Sequence, residues 1–148
     1  MIVVSDTSAM LNLARIGRLE LLPTLYQRVL IPPAVHWELT KSSSDPFPAI
    51  DFASLPWLIL KAAENQGQVR KLRIELGPGE ADAIVLAIKA GLTVTGLLGV
   101  LVQAKQAGLI VRGKPILDDL IQVARFWIGP DLYSSVLSQL GEEVSARD

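Results

Sequence analysis

Apolar residues in this chain follow two rhythms, and the switches between them predict its elements. Ile2-Val-Val4 is a short β-branched run that reads as a buried strand. Ser5-Asp6-Thr7-Ser8 carries the side chains of a strand end and a helix cap, and apolar residues at helical spacing run from Ala9 to Ile16 before Gly17. Leu19 to Tyr26 reads as a second short helix, with Pro23 as a point where it can break. Arg28-Val-Leu-Ile31 is a second strand; Pro33 opens a helix over Ala34 to Thr40 with Glu38 near its middle. Lys41 to Pro48 reads as a loop, Trp57 to Leu60 as a third strand, and the polar stretch Asn65 to Leu76 as an exposed helix. Behind the break at Gly77-Pro78-Gly79, Glu80 to Ala90 is a strong helix closed by Gly91. Leu92 to Thr95 is a short strand, and Gly96 to Ala107, Lys114 to Phe126 and Asp131 to Leu140 are the closing helices, with Glu142 to Asp148 expected to fray. Strands alternating with helices in this way predict an α/β fold: a parallel sheet flanked by helices, with a helical C-terminal part at 113–140.

The length, 148 residues, suits one domain over 1–148 with a real core. Half of the residues are hydrophobic but only 5% are aromatic, so the core is aliphatic. The mean hydropathy of +0.38 is high for a soluble monomer, and a homodimer that covers part of that surface is expected. Trp37, Trp57 and Trp127 are expected in the core or in such a subunit contact. With 14 basic and 15 acidic residues the net charge is −1, so nucleic acid would have to be held by local basic clusters and metal ions. The absence of cysteine excludes disulfides, thiol catalysis and cysteine-zinc sites, and suits a cytoplasmic location. The N-terminus lacks the pattern of a signal peptide, and the apolar run Leu92 to Val102 is too short and glycine-broken to span a membrane.

Four carboxylates stand where a site can form. Asp6 ends the first strand, where open α/β sheets place their ligands. Glu38 lies on the helix after the second strand, and Glu80 and Asp82 open a helix behind a glycine break. Carboxylates held close together cannot all ionise without a cation, and hard oxygen donors with no histidine or cysteine partner favour Mg²⁺ or Mn²⁺. Each also has a structural role open to it: Asp6 as a helix cap, Glu80 and Asp82 as complements to a helix dipole, Glu38 as a solvated helix residue. His36 is the sole histidine, too few for a Ser-His-Asp or histidine-metal site. Asp118 and Asp119 read as exposed. Gly77-Pro-Gly79 lacks the Lys-Ser/Thr of a phosphate loop.

Four segments carry a family resemblance. Val3-Val-Ser-Asp6-Thr-Ser-Ala-Met-Leu-Asn-Leu-Ala14 resembles the opening of PIN domains, and Val29 to Leu39 their second motif. Leu76-Gly-Pro-Gly-Glu80-Ala-Asp-Ala-Ile-Val-Leu-Ala87 resembles the third. Thr95 to Ile110 resembles the C-terminal signature of a prokaryotic subgroup related to toxin-type ribonucleases. The resemblance implies a three-layer α/β/α fold and a Mg²⁺- or Mn²⁺-dependent nuclease that cuts single-stranded RNA. It assigns Asp6 and Glu38 to the first two acids of the site, and either Asp82 or Glu80 to the third. Thr7 or Ser8 would orient Asp6 or a phosphate, and Arg15 would steady the RNA backbone.

The sequence departs from the family at one place. Members follow the third-motif helix with an apolar strand ending in a fourth aspartate, a turn and a short helix, a unit of roughly 20 residues. Here Ala90-Gly91 runs directly into Leu92-Thr-Val-Thr-Gly96, and the nearest strand-end residue is the uncharged Thr95. The expected sheet is one strand short, with either Leu92 to Thr95 or a neighbouring chain beside the Asp6 strand, and the metal site is expected to be weakened. Two functions follow from the resemblance: a metal-dependent endoribonuclease of toxin–antitoxin type, or a degenerate PIN fold acting as a dimeric or antitoxin-binding module.

Overall fold

The computed structural model describes residues 2–41, 51 and 54–142. The first strand, β1 (Ile2–Ser5), leads into helices α1 (Thr7–Arg15) and α2 (Leu21–Leu25). Strand β2 (Arg28–Ile31) is followed by α3 (Pro33–Lys41), and β3 (Leu58–Leu60) by α4 (Gln66–Leu72) and α5 (Pro78–Ala90). Strand β4 (Val94–Thr95) then precedes α6 (Leu97–Gln106), α7 (Lys114–Gln122) and α8 (Pro130–Gln139).

The four strands form one sheet in the order β3-β2-β1-β4, with every pairing parallel. Period-two alternation sends their side chains to two different cores. Val3, Val29 and Ile31 pack with α1, α2, α6, α7 and α8 through Met10, Leu13, Leu22, Leu101, Leu117 and Leu137. Val4 and Leu30 pack on the other face with Ala83, Leu86 and Ala87 of α5 and Val69 of α4. A sheet covered on both faces gives three layers, α/β/α, as expected.

Strand order and chain order part company at β1. From β1 the chain moves outward through β2 to β3, then crosses back to place β4 on the opposite side of β1. Val94 pairs with Val4 and Thr95 with Ser5, so the short strand after Gly91 itself occupies the place beside the Asp6 strand. This reversal opens a crevice at the carboxyl ends of β1 and β4, the position at which doubly wound sheets bind ligands. Asp6 stands there.

Several local expectations change. Pro23 does not break α2, because it is the third helical residue, where a backbone N–H has no intrahelical partner to lose. Helix α7 ends at Gln122 rather than Phe126: Arg125 takes φ +60°, and the Phe126 N–H donates to the Leu120 carbonyl at 2.8 Å. Trp57 packs against the larger core, but Trp37 and Trp127 are 58% and 84% exposed and belong to neither core. The Lys41 ammonium lies 4.2 Å from the centre of the Trp37 ring. Asp118 is half-buried and accepts hydrogen bonds from Tyr133 Oη at 2.6 Å and Lys114 Nζ at 3.0 Å. Glu142, expected to fray, is anchored: its carboxylate accepts from the Gly113 and Lys114 amides at 2.7 and 3.1 Å and from Lys105 Nζ at 3.0 Å. The loop expected over Lys41 to Pro48 lies, beyond Lys41, outside the described residues, as does the expected fraying of 143–148. Among the described residues no helix is long and apolar enough to cross a membrane.

Candidate metal centre

Asp6 leaves β1 with extended backbone and caps α1, its Oδ1 accepting the Ala9 N–H at 2.9 Å. An N-cap aspartate has one oxygen committed to the helix and one left to face the crevice. Burial pushes the Asp6 carboxyl above its ordinary value; the Ala9 hydrogen bond opposes this, and the negative charges of Glu80 and Glu38 add to the rise. Asp6 thus senses two further acids, from α5 and from α3.

Glu38 is fixed from both sides. Its Oε2 accepts from Thr7 Oγ1 at 2.9 Å and its Oε1 from the Gly79 amide at 2.7 Å. This carboxylate joins the first turn of α1, the middle of α3 and the first turn of α5 into one wall of the crevice. The amide is available because Gly79 is the second residue of α5, whose leading N–H groups have no intrahelical acceptor. Gly79 must lack a side chain: a Cβ there would lie 2.5 Å from Glu38 Oε1 and 2.9 Å from Thr7 Oγ1.

Glu80 and Asp82 have separate environments. Glu80 is exposed in the first turn of α5 and acts electrostatically on Asp6. Asp82 is only 6% exposed and is bound by Arg73: Nη2 reaches Oδ1 and Oδ2 at 2.9 Å each, and Nε reaches Oδ1 at 3.1 Å. Residues two apart on a helix point about 200° apart around its axis, so both acids cannot face the same crevice.

Of the polar residues expected around Asp6, Thr7 holds Glu38 instead. The Ser8 carbonyl and Oγ accept from Asn12 Nδ2 at 2.9 and 3.2 Å. Arg15 lies at the far end of α1, eight residues beyond Thr7 and so about 12 Å along the helix. Behind the crevice, the Tyr26 hydroxyl meets Thr95 Oγ1 at 3.3 Å and donates to Gln103 Oε1, tying the end of β4 to α6. Two participants escaped the sequence reading: the Gly79 amide, which no side-chain motif reports, and Arg73, visible only as one of the basic residues of a polar helix.

The chemistry of the donors fits a divalent cation. They are hard carboxylate oxygens, and burial first, then the charges of Glu80 and Glu38, raise the Asp6 carboxyl. Among the described residues, no three acidic or histidine side chains stand grouped as a finished coordination set.

The fold defines a doubly wound α/β protein with Asp6 at its switch point. The chain matches the family model described as "DUF3368: PIN domain" over residues 2–90 and 86–142, and it belongs to this PIN-domain family. The family is nuclease-like and generally dependent on divalent metal. The two matched segments overlap at 86–90, next to Gly91. Comparison with curated proteins and with solved structures returns no match for the chain.

Proposed function

We propose that this protein is a metal-dependent endoribonuclease of toxin–antitoxin type whose centre is built by Asp6, Glu38 and Glu80. The observation that carries this reading is the place of Asp6, half-buried at the carboxyl end of β1 and within electrostatic reach of Glu80 and Glu38, in a PIN-family chain. Asp82 stood beside these acids as a candidate; its bidentate pairing with Arg73 favours Glu80 as the third acid.

In this reading the Asp6 oxygen not engaged by Ala9 and the Glu80 carboxylate would hold the ion, with Glu38 as the wall behind them. Thr7 and the Gly79 amide hold the Glu38 carboxylate in place from both sides. A bound Mg²⁺ or Mn²⁺ would supply charge neutralisation at the scissile phosphate and a water acidic enough to attack it. The protein's own part is to present the Asp6 and Glu38 carboxylates, each held by hydrogen bonds, and the exposed Glu80 to the RNA backbone.

Calorimetric titration with Mn²⁺ on the wild type and on Asp6→Asn tests the centre, and cleavage of single-stranded RNA tests the activity. Saturable binding lost in Asp6→Asn, with Mn²⁺-dependent cleavage lost in parallel, is the expected result. Wild type that neither binds Mn²⁺ nor cuts RNA overturns the enzyme reading.

The grouping of the acids favours one second reading. With no finished set of three among the described residues, a PIN fold retained as a dimeric or antitoxin-binding module is the alternative. It predicts intact folding, no Mn²⁺ binding and no dependence of partner binding on Asp6.

A further inference from the structure

We infer that Arg73, pinned by Asp82, is a phosphate-contacting residue, and that the C-terminal end of α4 carries the backbone of single-stranded RNA past the acids; this rests on the ribonuclease reading above. The chain has a net charge of −1, yet Arg70, Lys71 and Arg73 fall within four residues, and all three are exposed. Arg70 and Lys71 close the last turn of α4 and Arg73 is its C-cap, the end at which a helix dipole favours cations. Arg70 is steadied along the helix by Nε donating to the Gln66 carbonyl at 3.3 Å.

Arg73 is held more firmly. All three of its bonds to Asp82 come from the Nε–Nη2 edge of the guanidinium, at 2.9 to 3.1 Å. The Arg73 side chain is 42% exposed, whereas that of Asp82 is 9% exposed, so the acid is the buried anchor and the cation is the presented group. The Nη1 edge remains for a ligand. Burying a carboxylate is costly, and an apolar residue of similar volume at position 82 would avoid that cost. What the pair achieves is a guanidinium of fixed position, which loses little further freedom when it meets a phosphate.

The location suits this role. Asp82 lies one helical turn beyond Gly79, whose amide holds Glu38, while Glu80 points about 200° away from Asp82 around the same helix. Asp82 also cancels its own charge against Arg73, so it does not repel an approaching phosphate. The net effect is a basic track on α4 and an acidic centre on α1, α3 and α5, with α5 shared between them.

The test is binding of a fluorescein-labelled oligouridylate to the full chain, by anisotropy in Ca²⁺ over a series of KCl concentrations. Arg73→Gln is expected to weaken binding about fivefold to tenfold and to reduce the salt slope by about one counterion. Arg73→Lys, which keeps the charge, should retain the salt slope. Asp82→Asn frees the guanidinium without removing it, and should weaken binding with the slope unchanged, which loss of a merely structural ion pair would not do. Circular dichroism reports folding; if Arg73→Gln does not fold, Arg73→Lys and Asp82→Asn decide the matter. Binding by Arg73→Gln with wild-type affinity and slope overturns the inference alone, and wild-type affinity in Asp82→Asn overturns the pinning. Wild type that binds no oligouridylate overturns the RNA reading and this inference together.

Discussion

The carboxylate of Glu38 and the backbone amide of Gly79, 41 residues apart in the chain, meet at 2.7 Å and join helices α3 and α5. Helices α3 and α5 can approach this closely because position 79 has no Cβ. Gly79→Ala should therefore push the Glu38 carboxylate out of place while leaving the helix intact, since alanine is intrinsically better in a helix by about 1 kcal/mol. The expected outcome is a weaker Mn²⁺ affinity, by about tenfold on calorimetry, with unchanged helical circular dichroism. Unchanged affinity would remove Glu38 from the centre.

Asp6 should cost the protein stability. Its carboxyl is raised above the ordinary 3.8, chiefly by burial, so the folded state holds the proton more tightly than the unfolded state does. A group of this kind contributes stability that is fully present below pH 3.8 and is lost as the pH rises through its folded value. At pH 7 the Asp6→Asn variant, whose amide oxygen still caps α1, should melt above the wild type. The difference should shrink as the pH falls toward 3.8, and Mn²⁺ should raise the melting temperature of the wild type alone. Equal melting temperatures at pH 7 would show that the charge on Asp6 is already compensated.

Glu80 and Asp82 separate by substitution. Glu80→Gln removes an exposed acid, so it should leave stability within about 0.5 kcal/mol of wild type while weakening Mn²⁺ binding. Asp82→Asn should keep Mn²⁺ binding and lower stability by about 1–3 kcal/mol, the usual range when a charged hydrogen-bond pair is broken. The opposite pattern on calorimetry and urea denaturation would make Asp82 the third acid.

Glu142 closes the far end of the molecule. Its burial acts to raise the carboxyl, but hydrogen bonds from the Gly113 amide, Lys105 and the Lys114 amide outweigh this and hold it below the ordinary 4.5. The stability it adds is present above pH 4.5 and lost as the pH falls through its lower folded value. Glu142→Ala uncaps α7 and should cost about 1–2 kcal/mol at pH 7 in urea denaturation, with metal binding unaffected. A variant as stable as the wild type would reduce Glu142 to a surface contact.

Much of this protein is a consequence of local chemistry. The runs Ile2–Val4 and Val29–Ile31 are β-branched and aliphatic, and each is bounded by residues that stop strands; Gly91 takes the left-handed conformation, φ +67°, that closes α5 where the pattern ended. Those signals act over a few residues, so alternating strands and helices, a parallel sheet, an aspartate at the end of β1 and a glutamate in mid-α3 are legible in the order of residues alone. Where the chain turned on an unusual residue it was not: Arg125, just beyond α7, takes a left-handed backbone that glycine or asparagine would have announced.

Tertiary packing decided the rest. The short strand after Gly91 carries nothing in itself to say which neighbour it joins; pairing with β1 follows from the two cores that α5 and α6 must fill on opposite faces of the sheet. Glu80 and Asp82 are two residues apart and chemically alike, so only the direction from which α3, α4 and β1 meet α5 gives one acid to the crevice and the other to Arg73. Gly79 contributes a backbone amide, a group every residue but proline owns, and its role exists only because Glu38 arrives from another helix. Sequence periodicity fixes what each segment is, because it records which side of the segment is buried; partners across the fold are fixed by packing and charge between segments, which no local pattern contains.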